Sequence, residues 1–320
     1  MKAWIGIDVS KLTLDVCWYV QGEPTFLKLT NGPAGFEALL SKLPNASHVV
    51  LEATGAYYLR LAHFLLEKGV PLSVINPLSI KRYAQMKLAR AKTDKYDSAL
   101  IAQFGASQEP TVWTLPDAHL LELQQLITLE DELIVQKGML QNQKEAFSQS
   151  PFASKLALKT IDGLVRRLEK EIGRLQSQVK ALMKAHYPRE TEILRSIPGL
   201  GPKTAQALIV ATKGFREEVN GRALCCYVGL SPRPHQSGTS VKGRGQISKM
   251  GNKSVRKKLY MCAISAIRNN PACKVFYERL KAKGKASKVA LVAVCGKLLR
   301  QAAAMIKKGQ LFDEKLALGA

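Results

Sequence analysis

Residues 4–20 read WIGIDVSKLTLDVCWYV. Two apolar, β-branched-rich runs, 4–8 and 13–20, flank a tight turn at Ser10-Lys11-Leu12, and both read as strands. The first run ends on Asp8, a charged residue inside an apolar strand. Residues 24–30 (PTFLKLT) alternate and supply a third strand. Asn31-Gly32-Pro33 then opens a helix near 33–43. HVVLEAT is a fourth strand with Glu52 near its C-terminal end, YYLRLAHFLLEKG a helix closed by Gly69, and PLSVINP a fifth strand. A last helix is expected from Thr93 or Asp94 to about Phe104. A three-strand meander followed by alternating helix and strand predicts an α/β domain with a mixed sheet over residues 1–110.

Asp8 and Glu52 each lie in or beside an apolar strand, and Asp94 and Asp97 are three apart at a helix start, so they share a face. Singly, an acid at a helix start is an ordinary partner of the helix dipole. Together the four predict a carboxylate-lined site for hard divalent cations, Mg²⁺ or Mn²⁺ rather than zinc. Two such ions stabilise the attacking and leaving oxygens of an in-line phosphoryl displacement. The five histidines are scattered, which argues against a zinc site.

The charge of the chain points to a polyanionic partner. Of the net +23, residues 1–110 carry 12 Lys/Arg against 9 Asp/Glu, residues 111–187 carry 10 against 9, and residues 188–320 carry 26 against 7. An excess confined to the last 133 residues fits a phosphate backbone. With 46% hydrophobic residues the chain buries real cores and is not a disordered tail. The WIGI run is too short for a signal core, no stretch is expected to span a membrane, and six cysteines without a C-x-x-C pair suit a reducing cytoplasm. Cys225 and Cys226, in ALCCYVGL, are expected to be buried thiols.

Leu120, Leu123, Ile127 and Ile134, then Ile161, Leu164, Leu168, Ile172, Leu175, Val179 and Leu182, step at helical spacing. With a turn around Ser148–Ser154 they predict a two-helix arm over 111–187. Its stripes pack on each other or, as in a coiled coil, on a second copy. The basic region, 188–320, is expected to be mainly α-helical. It opens with ILRSIPGLGPKTAQALIVAT, a helix-hairpin-helix-like segment. Its glycines would let backbone N–H groups approach a phosphate, with Lys203 beside them. The polar stretch GLSPRPHQSGTSVKGRGQISKMGNKS follows, then helices near 254–268 and 284–307.

GIDVSK, LEATG, INP and KTDKYD, in this order, resemble the RuvC-like domain of the IS one-ten family of insertion-sequence transposases, relatives of the Piv DNA invertase. SIPGLGPKTA, YVGLSPRPHQSGTS and ISKMGN resemble the C-terminal domain of the same family. The resemblance covers essentially the whole chain; one mild departure is Ser98, where the pattern has a small apolar residue. It implies an RNase-H-like first domain with Asp8, Glu52, Asp94 and Asp97 as a metal-binding tetrad. It also implies a nucleophilic serine at Ser237, which residue chemistry alone does not distinguish from Ser231, Ser240 or Ser248. Lys242, Arg244 and Lys249 lie near it and are expected to hold phosphate. Further implications are a structured guide RNA, a dimer or tetramer, and a DNA substrate cut and rejoined by way of a phosphoserine. The rivals are a junction-resolvase-like nuclease in which the metals activate water and Ser237 is structural, a DNA invertase without guide RNA, and a nucleic-acid-binding protein with a dead nuclease-like domain.

Overall fold

A computed structural model describes residues 2–88, 94–215, 220–233, 236–237, 241–242 and 246–314, with backbone only for Asp94, Gln236, Ser237, Val241 and Lys242. The chain divides into two compact units, Met1–Leu115 and Pro116–Ala320.

In the first unit, β1 (Ala3–Val9), β2 (Thr13–Val20) and β3 (Glu23–Thr30) form an antiparallel meander. After α1 (Pro33–Leu40) come β4 (Ser47–Glu52), α2 (Leu59–Glu67) and β5 (Leu72–Ile75), and β4 and β5 run parallel to β1. The sheet order is β3-β2-β1-β4-β5. Two helices complete the unit, α3 (Pro77–Met86) and α4 (Asp94–Gln108). This mixed sheet with helices on both faces fits the RNase-H-like arrangement. Strand alternation sorts the side chains between the faces. Ile5, Ile7 and Val9 join Leu14, Val16, Trp18, Val49 and Leu51 under Phe36, Leu39, Leu61 and Leu65 of α1 and α2. On the other face Val50 packs with Ile80 and Tyr83 of α3 and Leu100 and Ile101 of α4.

α3 was not expected: Asn76-Pro77 reads as the end of a strand, yet it starts a helix. The Asn76 side chain accepts from Leu78 N at 2.9 Å, and Pro77 fills the first helical position, where no N–H is needed.

The second unit begins with α5 (Ala118–Ser148) and α6 (Lys155–His186). They are antiparallel, since Lys144 pairs with Asp162, Lys137 with Glu169, and Glu130 with Gln176. At the base of the pair Leu120, Leu123, Ile127, Val179 and Met183 enter the core of the basic region itself. Near the α5–α6 turn Phe147, Phe152 and Leu156 are exposed.

Beyond the pair, α7 (Pro188–Ser196) and α8 (Pro202–Ala211) are joined by the Pro198–Gly201 turn. Gly199 sits there at φ +98°, and a Cβ would lie 2.6 Å from that of Ala266. A 3₁₀ turn (Lys213–Phe215), α9 (Gly221–Val228), α10 (Lys253–Asn269), α11 (Pro271–Ala282) and α12 (Ser287–Lys308) follow. The polar stretch carries two-residue strand pairs: β6 (Pro232–Arg233) with β9 (Gln246–Ile247), and β7 (Gln236–Ser237) with β8 (Val241–Lys242).

Two expectations are corrected here. Cys226 is exposed while Cys225 is buried, because neighbours on a helix point about 100° apart. α12, 22 residues, is by length and composition alone apolar enough to cross a membrane, where no such stretch was expected. Its apolar side chains have another role, since Val294, Cys295, Leu298, Leu299 and Ala302 belong to the second core.

Candidate active site

Asp8 is the penultimate residue of β1 and Glu52 the last of β4. The parallel register pairs Ile7 with Leu51, so Asp8 and Glu52 come next to each other, one residue on and on one face. That face is the one covered by α4. Gly6 shows how close the helix comes: a Cβ there would stand 2.2 Å from Ala102 N and Ser98 O. One turn later on the helix, Gly105 abuts Trp4 and Val50. α4 therefore runs antiparallel to β1. Two strand residues and four to five helix residues each cover about 6.5 Å. Continuing the same step from Gly6 to Asp8 reaches the Asp94–Asp97 turn. The glycine thus lets the helix lie close against β1, with its N-terminal end toward the strand ends that carry Asp8 and Glu52.

Asp8, Glu52 and Asp97 are half-buried, and Glu52 Oε1 accepts a hydrogen bond from Thr54 Oγ1 at 3.0 Å. The donor set is all carboxylate oxygen, which suits a hard divalent cation. Among the described residues no three His, Cys, Asp or Glu side chains stand close enough together to hold an ion, and the Asp94 side chain lies outside the described residues.

A further acid was missed from sequence. Asp15 lies directly across β2 from Asp8, is only 7% exposed, and pairs with Lys28 on β3 at 3.2 Å. Its signal was available: in TLDVCWYV, the inward alternation of Leu14, Val16 and Trp18 places Asp15 on the opposite face, the one Asp8 occupies.

The C-terminal candidates lie in the second unit. Ser237 is on β7, its backbone paired with Val241, and Lys242 pairs with Gln236. Arg244 lies outside the described residues. Lys249 is exposed, with left-handed backbone at φ +54° and its N–H donating to Gly229 O at 3.1 Å. The Lys203 ammonium contacts the carboxylate of Glu130, a residue with no exposure, and so ties α8 to α5.

Residues 5–152 match the DEDD-type IS110 model described as a transposase, and residues 191–278 match the transposase IS116/IS110/IS902 family. The pilin gene-inverting protein of Moraxella bovis is 31% identical over 325 residues, covering 98% of this chain and 99% of that protein. The transposase for insertion sequence element IS1111A of Coxiella burnetii is 23% identical, covering 83% of this chain and 78% of its own length. RuvC of T. thermophilus, solved with a Holliday junction substrate, overlaps 36% of this chain and all of its own at 16% identity with a TM-score of 0.27, a likeness too slight to bear on the fold. The chain belongs to the IS110 family of transposases and recombinases, enzymes that cleave and rejoin DNA.

Proposed function

We propose that this enzyme cuts and rejoins DNA through a serine nucleophile supplied by the second unit, working with a divalent-metal site on the first. The observation that supports the metal half is the close approach of α4 to β1 at Gly6, which turns the start of the helix toward the ends of β1 and β4. Asp8, Glu52, Asp94 and Asp97 would hold Mg²⁺ or Mn²⁺. When bound, such ions neutralise charge on the scissile phosphate and on the oxygens entering and leaving it.

Ser237 Oγ attacks the phosphorus, the bond to the departing sugar oxygen breaks, and a phosphoserine ester keeps the phosphodiester energy. A sugar hydroxyl of the partner strand then attacks that ester, reforms DNA and releases the serine. Lys242, Arg244 and Lys249 are assigned to the phosphates flanking the break, and Lys203 with the α7–α8 turn to backbone further away. In this reading residues 1–110 form the metal-binding module, 111–187 an arm for a dimer or tetramer, and 188–320 the DNA-joining module. A structured guide RNA would choose the DNA partners, and the reaction would take place in the cytoplasm. The relatives named a pilin gene-inverting protein and an insertion-sequence transposase support both inversion and transposition as outcomes of one chemistry.

The test is a covalent protein–DNA adduct that forms with Mg²⁺ and survives denaturant. Ser237→Ala and Asp8→Asn should each abolish it. An adduct still formed by Ser237→Ala removes the serine from the mechanism. Free 5′-phosphate ends without any adduct identify a hydrolytic nuclease instead.

A further inference from the structure

Beside the acidic ends of β1 and β4 the sheet face carries a groove of about 520 Å³, between the first turns of α4 and the edge strand β3. Asp15, Phe26, Lys28, Lys95 and Ser98 are among the residues lining it. Register fixes its relation to the candidate active site. Asp15 is the cross-strand partner of Asp8, Lys28 the partner of Asp15, and Lys95 falls between Asp94 and Asp97.

Burying a carboxylate is costly unless it is paired. Asp15 is 7% exposed, and its pairing with Lys28 holds that ammonium at the floor of the groove, while the Lys28 side chain remains 59% exposed to solvent. Lys95 is exposed at the opposite wall, its ammonium 5.8 Å from the ring centroid of Phe26, and that phenyl is itself 40% exposed. Two ammonium groups and one open aromatic ring along a groove are the elements that hold an unpaired nucleic-acid strand. The cations meet phosphates, and the ring meets a base or sugar without selecting sequence.

We infer that this groove binds the single-stranded segment adjoining the scissile phosphate, with Lys28 and Lys95 on its backbone, Phe26 against a base, and Asp15 as the positioning residue for Lys28. This rests on the reading of the first unit as the metal-dependent site. It assigns nucleic-acid contact to a unit whose own net charge is small, and it does not require the basic residues of 188–320.

The full chain is incubated in EDTA with a fluorescein-labelled 12-nucleotide strand carrying one 4-thiothymidine, irradiated, digested and mapped. Crosslinks are expected at residues 24–30. Lys95→Gln should lower their yield about fivefold and reduce the slope of log affinity against log salt by about 0.7, the loss of one phosphate contact on a single strand. Lys28→Gln should do the same and Lys28→Arg should not. Because Lys28→Gln leaves Asp15 buried without its partner, the exposed Lys95 variant decides the question if the other fails to fold. Unchanged yield in Lys95→Gln, or crosslinks confined to 188–320, overturns the inference. Equal competition by a duplex of the same sequence overturns the unpaired-strand assignment. Running the covalent-adduct assay on the same variants separates the two readings. An intact Ser237-dependent adduct with no groove crosslink removes the groove alone, and groove crosslinks with no adduct remove the nucleophile alone.

Discussion

Replacing Gly6 with alanine probes the geometry on which the proposed metal site depends. The added methyl would lie 2.2 Å from both Ala102 N and Ser98 O and 2.9 Å from Ala102 Cα. These are backbone atoms, so no rotamer change relieves the clash. Reaching an ordinary contact of about 3.4 Å requires α4 to withdraw from β1 by roughly 1 Å, and overpacking of this kind costs about 1–3 kcal/mol. In a unit of this size 2 kcal/mol lowers the unfolding temperature by about 10 °C. The larger effect is on chemistry. The same withdrawal carries Asp97 away from Asp8 and Glu52, and a misplacement of about 1 Å in a catalytic constellation costs on the order of 100-fold in rate. Gly105→Ala is the control. There the added methyl meets only side-chain atoms, Trp4 Cε3 and Val50 Cγ2, each at 2.8 Å, about two helical turns from the acids. Thermal unfolding followed by circular dichroism, together with Mg²⁺-dependent DNA cleavage at a temperature where both variants are folded, measures both quantities. Gly6→Ala should lose far more activity than Gly105→Ala at comparable stability. Equal activity losses in the two variants, or a fully active Gly6→Ala, would refute the claim that helix–strand approach sets the site.

Lys203→Met should destabilise the chain by about 2–3 kcal/mol in urea, because Glu130 has no exposure and, among the described residues, keeps Gln176 alone as a side-chain partner at 2.7 Å; the figure is below that for a fully buried pair because 38% of the Lys203 side chain meets water. Adding Glu130→Gln should recover much of that loss, and a Lys203→Met change within 0.5 kcal/mol of wild type would show the pair to be incidental. His48 is held at about 4, below its usual 6.5, first by burial and then by the charge of Lys2. Folding therefore favours its neutral form. Its contribution is fully present above pH 6.5 and is lost as the pH falls toward 4, by about 3 kcal/mol in all. His48→Gln should flatten that part of the stability profile, and an unchanged slope would exclude His48 as its source. Among the cysteines Cys226 alone is exposed, while burial raises the Cys17 and Cys273 thiols to about 11 and that of Cys295 to about 12. The native chain should accordingly release one equivalent of thionitrobenzoate rapidly from Ellman's reagent, and Cys226→Ser should release none.

The parts of this molecule that were legible in its sequence are those in which a residue contradicts its own surroundings. Asp8 interrupts an apolar strand and Glu52 ends another, so both stood out, and the long stripe of α6 repeats often enough to define a period. The helices that were missed, α3, α9 and α11, are 8–12 residues long, too short for periodicity to separate them from a loop. Yet all three start in the same way. Asn76, Asn220 and Asn270 each accept a hydrogen bond from a first-turn N–H, and Pro77 and Pro271 occupy the following position. Asparagine before proline or glycine also belongs to turns, and only the chain beyond distinguishes a turn from a cap. Glu130 gave no such contrast: in the polar run TLEDEL it reads as part of a solvated face, and its burial is a consequence of α8 docking against the base of the arm. Gly6 is the most instructive case. It stood inside the motif that identified the site, between two isoleucines, where a glycine weakens a strand and marks a close backbone approach. What approaches is a helix that begins 88 residues later, so the strand records that space is needed without recording what fills it.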